Sequence, residues 1–211
     1  MAYVLGFFFA DGYLQINPNG YKYFSFCSTD KYIIEKIRSL MGSNHKIGIK
    51  YKIHKSHKDC YVIQIKSDKV YNQLENYGAV KRKSLIMKFP SVPGHCLGDF
   101  VRGYFDGDGC VYFGSHFAKD RNKYRYVFQV RFTSGSKRFL MSLWRSLQSK
   151  KICNGGFVYK KPGGYDLVFS HNDGVAIFNL MYYNMLPGTC LRRKYRLFQS
   201  AFKNMNIGRV V

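Results

Sequence analysis

Acidic residues are scarce in this chain, and two of them occupy equivalent places in a repeated segment. Asp11 closes the apolar run Val4–Gly12, and Asp108 closes the similar run Val101–Gly109, each directly before a glycine. A matched pair of carboxylates could bind a divalent cation, whereas a single Asp before Gly is a common turn. Both interpretations stand at this point, and the equivalence of the two positions favours the cation site.

Each segment is predicted to be a short helix with a narrow stripe of small residues. Gly6 and Ala10 are four residues apart in the first helix, as are Gly103 and Gly107 in the second. Small residues at this spacing let two helix backbones pack closely, which would place both C-terminal ends side by side. The aspartate carboxylates and helix-end carbonyls, those of Ala10 and Gly107 among them, would then meet at two negative dipole ends. Oxygen ligands without His or Cys suit Mg²⁺, and the matching chemistry is metal-assisted phosphodiester hydrolysis.

The composition indicates a folded protein that binds a polyanion. The 211 residues include 34 Lys+Arg against 12 Asp+Glu, a formal net charge of +22, with 46% hydrophobic and 18% aromatic residues. So many apolar residues exclude a disordered basic tail, and so large an imbalance excludes an ordinary metabolic enzyme with a balanced surface. Nucleic acid is the first candidate partner.

Compartment signals predict an intracellular protein without a membrane span. The chain has six cysteines but no C-x-x-C pair, which predicts free thiols in a reducing compartment. The start lacks the charged region of a signal peptide, and no run approaches the roughly 18 apolar residues of a span. We therefore expect the cytoplasm of a bacterium or phage host, or an organelle matrix, with no secretion.

Two other groups resemble metal sites but are assigned otherwise. His54, His57 and Cys60 lie in a lysine-rich stretch that is predicted to be a hairpin loop, and no second ligand pair completes a zinc site. Asp106 and Asp108 resemble the start of a calcium loop, but Cys110 stands at the fifth position and the later ligands are absent.

The chain is a tandem duplication of one α+β unit. We expect the first repeat over 1–88, a proline-containing linker over 89–96 and the second repeat over 97–211. Each Asp-Gly helix should end at a left-handed Gly12 or Gly109. The strands predicted after these helices are 13–17, 21–27, 45–54 and 60–66 in the first half, and 110–116, 124–133, 156–161 and 165–170 in the second. The remaining predicted helices contain the apolar faces Ile33–Leu40 and Phe139–Leu147, and lie near 68–77 and 172–185.

Alternation along the strands predicts one packed face and one basic face in each sheet. Ile47, Ile49, Tyr51 and Ile53 should point inward, as should Tyr124, Tyr126, Phe128, Val130 and Phe132. Acids are nearly absent from the outward positions, with Asp166 the exception, so this face is predicted to bind nucleic acid. The residues predicted to contact it are Gln15, Asn17, Lys46, Lys50, Lys52, Gln64, Lys66, Tyr112, His116, Arg125, Gln129, Arg131 and Lys160.

The two segments that end at Asp11 and Asp108 resemble the signature helices of the LAGLIDADG homing endonucleases in their single-chain, two-repeat form. The second copy matches closely through Gly103, Asp106, Gly107, Asp108 and Gly109, whereas the first has Phe9 where an acid is usual. The resemblance implies two pseudo-symmetric αββαββα repeats whose antiparallel sheets form a saddle over double-stranded DNA. It also implies that Asp11 and Asp108 bind two or more divalent ions, and that the enzyme cuts across the minor groove to leave 3′ overhangs.

The resemblance further implies a basic residue near the metals in each half. Lys83 and Lys194 are the candidates, and either could orient the attacking water or stabilise the phosphorane charge. Both lie in basic triplets, so a neighbour or simple phosphate anchoring is an equal alternative.

The halves differ in the loop between their first two strands. The first loop is short, at 18–20, and the second, at 117–123, is longer and basic. This difference predicts that a monomer recognises a long asymmetric target. The alternatives to a site-specific DNA endonuclease are an intron RNA maturase, a non-cleaving DNA-binding regulator and a metal-dependent RNase.

Overall fold

The computed structural model describes residues 1–51, 58–80 and 87–207. These residues fall into two compact units of α+β architecture. The first holds residues 1–51, 58–80, 90–107 and 186–189, and the second holds 87–89, 108–185 and 190–207, counting described residues only. Within the described residues, no helix is long and apolar enough to cross a membrane.

The first unit contains one four-stranded antiparallel sheet and its helices. Its elements are α1 Ala2–Asp11, β1 Gly12–Ile16, β2 Lys22–Ser28, α2 Lys31–Leu40, β3 Gly48–Lys50, β4 Cys60–Lys66, α3 Asp68–Asn76, a 3₁₀ turn Gly94–Cys96 and α4 Leu97–Asp108. The last residue of α4 belongs to the second unit. The strand order is β1-β2-β4-β3.

The core of the first unit lies on one side of this sheet. Phe26 pairs with Ile63 across β2 and β4, and both are fully buried. The Phe8 ring of α1 meets the Phe26 ring edge to face, with centroids 5.4 Å apart. The period-3.6 face predicted for α2 is confirmed, because Ile33, Ile34 and Ile37 are all fully buried.

The second unit repeats the same sheet with longer strands. Its elements are β5 Gly109–Ala118, β6 Lys123–Ser134, α5 Lys137–Ser149, β7 Phe157–Lys161, β8 Gly164–Ser170, α6 His171–Tyr182 and α7 Arg192–Asn204. The strand order β5-β6-β8-β7 corresponds strand for strand to that of the first sheet. The α+β prediction with two antiparallel sheets is confirmed, and α7 is an element that strand and helix patterns did not predict.

The predicted left-handed caps are wrong. Gly12 has φ −83° and ψ 160°, which is extended backbone, because the chain passes directly from α1 into β1. Gly109 likewise is the first residue of β5. Gly12 is needed for space instead, since a side-chain methyl there would overlap the Phe8 ring.

Four of the predicted inward residues are exposed. Strand β3 is only three residues long, and Ile49 and Tyr51 are 48% and 72% exposed. Tyr124 and Tyr126 lie in the part of β6 that pairs with β5 alone, since β8 pairs with β6 only from Gln129 onward. The alternation therefore predicted the correct face of each sheet, but not how deeply each side chain on that face is buried. Ile53 lies outside the described residues.

Candidate nucleic-acid interface and metal site

Helices α1 and α4 pack backbone against backbone within the first unit. A methyl group at Gly6 would overlap the carbonyl oxygen of Phe100, and one at Gly103 would overlap the carbonyl oxygen of Tyr3. The close approach predicted from the small-residue stripes is therefore confirmed. Any larger residue at Gly6 or Gly103 would have to push the two helices apart.

The contact continues to the C-terminal ends of both helices. A methyl at Gly107 would overlap the Cβ of Ala10 and lie 3.1 Å from Oδ2 of Asp11. The Asp11 side chain is exposed at the end of α1, and Asp108 follows Gly107 as the last residue of α4. Ala10, Asp11 and Gly107 are thus brought together as the sequence predicted.

These residues have the donor chemistry of a hard-cation site. Carboxylates and helix-end carbonyls are oxygen donors at the negative end of a helix dipole. Mg²⁺ is commonly held by one or two carboxylates together with phosphate oxygens of the substrate, so a complete protein cage is not required. Among the residues that the structure describes, no cluster of three or more His, Cys, Asp or Glu side chains forms such a cage.

Among the contacts between the two helices are a polar one and an aromatic one at matching positions of the repeats. The Tyr3 hydroxyl donates a buried hydrogen bond of 2.7 Å to Oδ2 of Asp106. At the matching position of the other repeat, the Phe9 ring meets the Phe100 ring edge to face, with centroids 5.8 Å apart. Phe9 therefore replaces the usual acid where its partner on the other helix is Phe100, which has no hydroxyl to donate.

Sequence reasoning missed Arg102, which is only 2% exposed. Its Nε donates to the carbonyl oxygen of Thr189 at 2.8 Å, and its Nη2 donates to Thr189 Oγ1 at 3.1 Å and to Asp99 at 2.5 Å. The guanidinium also lies 5.3 Å from the centroid of the Tyr3 ring. Arg102 thereby fastens the segment Leu186–Thr189 to α4. Its only sequence signal is a cation within an otherwise apolar helical run.

The first sheet presents a polar face with exposed amides and amines. Register places Gln15, Gln64, Lys66 and Lys50 on one side, opposite the face that carries Phe24 and Phe26. Nε2 of Gln64 donates to Oε1 of Gln15 at 3.4 Å, so the two amides are neighbours. These four predicted contact residues therefore share one face.

Lys66 and the other predicted contact residues of the first half differ in their surroundings. The Lys66 ammonium lies 3.4 Å from the centroid of the Tyr21 ring. Asn17 Oδ1 accepts a hydrogen bond of 2.8 Å from the backbone N–H of Tyr21, which fixes the turn between β1 and β2. Lys46 is exposed ahead of β3, and Lys52 lies outside the described residues.

The polar face lies close to the end of α1. Burial, the neighbouring Cys60 thiol and the Asp11 charge together raise the pKa of Cys27 to about 11, with Lys50 opposing them. Cys27 points to the same face as Gln64 and Lys50, as the register shows. Helix α1 leads directly into β1, and Gly12 pairs with Phe26, the neighbour of Cys27, so Asp11 lies at the end of this sheet.

The second sheet presents the corresponding face with an ordered cluster. Tyr112, His116, Arg125, Gln129 and Arg131 share one side by register. Arg131 donates from Nε and Nη2 to Oε1 of Gln129, at 3.1 and 2.7 Å, and its guanidinium lies 5.0 Å from the centroid of the Tyr112 ring. The Tyr112 hydroxyl is in turn hydrogen-bonded to Nε2 of His116.

Lys160 is on the other side of the second sheet from this cluster. It pairs with Tyr165, which pairs with the buried Ser134, so register places it on the core-side face at an exposed edge. The neighbouring Lys161 is on the polar side and pairs with Asp166 at 2.8 Å. The strand alternation used to predict Lys160 was shifted by one residue at this edge strand.

Asp166, the acid on the polar face, is neutralised by its neighbours. It is 4% exposed and accepts hydrogen bonds from Thr133 at 2.6 Å and Tyr159 at 3.0 Å, besides the Lys161 pair. Burial alone would raise the pKa of Asp166, but these donors outweigh it and the pKa lies below its ordinary value. The face therefore stays basic despite this acid.

Of the two candidate lysines, Lys194 is in the first turn of α7 and only 4% exposed. Lys83 lies outside the described residues. The exposed cations of the same helix turn are Arg192 and Arg193. Lys194 thus differs from its neighbours in being held within the protein, where a surface phosphate anchor would be exposed.

Comparisons with known proteins agree with this architecture. A family model described as a LAGLIDADG-like domain matches residues 1–78 and again 96–173. Comparison with curated protein sequences gives no match.

Several solved structures share the fold. The LAGLIDADG meganuclease I-AabMI bound to uncleaved DNA is 15% identical, with a TM-score of 0.64 over 97% of this chain and 90% of that chain. The I-LtrWI LAGLIDADG homing endonuclease bound to target DNA is 14% identical, with a TM-score of 0.61 over 98% and 90%. I-SmaMI bound to an uncleaved DNA target in the presence of calcium ions is 14% identical, with a TM-score of 0.60 over 100% and 93%.

Proposed function

Since the chain belongs to the family of LAGLIDADG-like domain proteins, we propose that it is a homing endonuclease that cuts double-stranded DNA at a specific site. It acts as a monomer on a long asymmetric target and cuts both strands across the minor groove, which leaves 3′ overhangs. The enzyme is intracellular and associated with a mobile intron or intein.

The observation that carries this proposal is the contact between the ends of α1 and α4. Asp11 lies beside Gly107 there, and Asp108 is the next residue. This contact supports a hard-cation site that includes the last acid of each signature helix and the carbonyl oxygens of the helix ends. A turn role alone would not require the two helices to pack closely at Ala10 and Gly107, directly before their last acids.

Asp11, Asp108 and the carbonyls of Ala10 and Gly107 would hold Mg²⁺ ions. When bound, such ions supply Lewis-acid stabilisation of the charge that develops on the phosphorane. The chain's own contribution is to fix the carboxylates through the rigid helix pair, so that the ions and the cut phosphates meet at a set position.

Lys194 completes the chemistry in the second half. Its burial in the first turn of α7 restricts its side chain, as a group that stabilises transition-state charge requires. We assign Lys83 the same role in the first half. The alternative role for both is to anchor a phosphate without contributing to the chemical step.

DNA recognition belongs to the two polar sheet faces. Lys50, Lys66 and Arg125 are exposed cations for phosphates, whereas Gln15 and Gln64 carry amides that can read base edges. The β5–β6 hairpin is longer than the β1–β2 hairpin. The second sheet would therefore contact a longer stretch of its half-site than the first sheet does. Such unequal halves support an asymmetric target.

The experiment that tests this function is cleavage of duplex DNA spanning the intron-lacking insertion site. Wild type, Asp108→Asn and the exposed-helix control Asp68→Asn are compared in Mg²⁺, Ca²⁺ and EDTA. We expect one staggered cut in Mg²⁺ only, and a loss of roughly 100-fold or more in Asp108→Asn, because metal stabilisation is worth several kcal/mol. Asp68→Asn should cut as wild type does.

Salt-sensitive DNA binding without cleavage in any metal would contradict the endonuclease. The function would then be that of an RNA maturase or a non-cleaving regulator on the same scaffold. Cleavage of RNA instead of DNA would indicate a metal-dependent RNase.

A further inference from the structure

Tyr112, Gln129 and Arg131 are half-buried on the polar face of the second sheet, and their side chains hold one another in place. Long side chains on an exposed sheet face ordinarily sample many rotamers, and ordering one costs conformational entropy when DNA binds. Here the Arg131 guanidinium is held before any ligand arrives, by two hydrogen bonds to one oxygen of Gln129 and by the Tyr112 ring.

The geometry of those bonds decides which edge of the guanidinium is left for a ligand. Nε–H and one Nη2–H donate to Oε1 of Gln129, so the side edge of the guanidinium is already occupied by this amide. Within the part of the chain that the structure describes, Nη1 of Arg131 makes no hydrogen bond. The end-on edge formed by Nη1 and the second Nη2–H therefore remains as a two-donor fork on the polar face.

Arg131 is also close to the reactive end of its repeat. It pairs with Cys110, the second residue after Asp108, so it lies about 7 Å along β5 from the helix end, at 3.4 Å per residue. A base pair read there is among those nearest the cut phosphates. The matching position of the first sheet, opposite Tyr13, is Ser25, which carries no guanidinium.

We propose that Arg131 is a specificity-determining residue that reads a guanine in the half-site contacted by the second sheet, with Gln129 and Tyr112 as the residues that position it. A two-donor fork matches O6 and N7 of guanine in the major groove, and no other base presents two acceptors there. The first half-site has no equivalent requirement at the matching pair, because Ser25 stands there. This inference rests on the proposed function as a DNA-binding enzyme.

The test is affinity selection from a randomised duplex library, in Ca²⁺, followed by sequencing of the bound DNA. Wild type should enrich one site with a required G·C pair close to the centre of one half. In Arg131→Lys the preference for G at that position should fall by roughly 5- to 150-fold, while the other positions keep theirs. Arg145→Lys, on the exposed side of α5, is the matched control and should leave the profile unchanged.

Two variants test whether Gln129 positions Arg131. A purely structural role for Gln129 would change the affinity for every DNA sequence alike, without a separate effect on the preference for G. Gln129→Met removes the acceptor and should weaken the G preference without changing preferences elsewhere. Gln129→Glu keeps the acceptor, so the preference should persist, although its negative charge lowers affinity for every sequence. Gln199→Met on α7 is the control.

Three results would overturn the inference. An unchanged profile in Arg131→Lys shows that Arg131 reads no base, and a uniform loss of affinity for all sequences shows that it contacts phosphate instead. Both leave the proposed endonuclease intact. A wild-type protein that enriches no sequence at all overturns the inference together with the proposed site-specific function, and so distinguishes the two failures.

Discussion

The positions of individual acidic residues indicate function more clearly in this chain than those of individual basic residues, because Lys and Arg outnumber Asp and Glu nearly three to one. Asp11 and Asp108 end the paired helices, Asp106 accepts the Tyr3 hydroxyl, and Asp166 is enclosed by three donors. Each of these four acids thus has a definite partner or stands at the end of a paired helix.

Asp166 gives a prediction about pH at the residue scale. Its pKa is lower in the folded protein than in the unfolded chain, so the ionised form stabilises the fold. That stabilisation is fully present above the ordinary pKa of 3.8 and is lost as the pH falls through the lower pKa of the folded state. Asp166→Asn should therefore reduce the free energy of unfolding by about 1–3 kcal/mol at pH 7.

The difference between Asp166→Asn and wild type should shrink as the pH approaches 3. Urea unfolding measured from pH 7 to pH 3 checks this, with the exposed Asp120→Asn as the control that should differ little at any pH. A difference that stays constant across this range would mean that the Asp166 charge contributes nothing to the fold.

At the scale of elements, the α1–α4 pair has unlike contacts at two matching positions of the repeats. The Tyr3 hydroxyl donates a hydrogen bond to Asp106 on the other helix, whereas the Phe100 ring packs against the Phe9 ring. A helix paired with its own copy would set Tyr3 against Phe9 or Phe100 against Asp106. Either pairing buries a polar group against a ring, so each helix is matched to the other repeat.

A double-mutant cycle tests this matching. Phe9→Asp alone should destabilise the protein, because it buries a carboxylate against the Phe100 ring, and Phe100→Tyr alone should cost less. The double variant rebuilds the Tyr–Asp hydrogen bond, so we expect a favourable coupling energy of about 0.5–3 kcal/mol from urea unfolding. Tyr13→Phe, at an exposed position, is the control. Additive costs in the double variant would show that the two contacts do not define the pairing.

The sequence predicted the helix pair well because the signal for it is local. Glycine and alanine at four-residue spacing are visible within a single segment, and so is the polar face of each strand. The elements that cover a strand, by contrast, come from distant parts of the sequence. Ile49 and Tyr51 follow the correct alternation, yet the short edge strand β3 leaves them exposed. The same holds for Tyr124 and Tyr126 beyond the end of β8.

Contacts between distant segments were the least predictable. Arg102 and Thr189 are 87 residues apart, and nothing in either segment indicates that one binds the other. The order of the Arg131 cluster was also invisible, since a strand pattern gives the face of Gln129 and Arg131 but not their mutual hydrogen bonds. The strand pattern therefore predicts the face on which these side chains lie, and the structure adds which of them hold one another in place.

At the scale of the whole molecule, duplication explains the design of a single chain with two related but unequal halves. Both sheets have the same strand order, and the family model matches each half once. Drift between the copies then supplied the asymmetry, with Phe9 against Asp106, Ser25 against Arg131, and a short first hairpin against a long second one. Under the proposed function, this asymmetry would suit a monomer to a target without two-fold symmetry.

The proposed role of Asp11 and Asp108 is to hold the ions that act on DNA. The most direct test is the anomalous scattering of Mn²⁺ in crystals of the protein with its target duplex. We expect anomalous peaks within bonding distance of both carboxylates and of the cut phosphates, and their loss in an Asp11→Asn, Asp108→Asn double variant. Peaks on DNA phosphates or other side chains only, with both carboxylates unliganded, would contradict it.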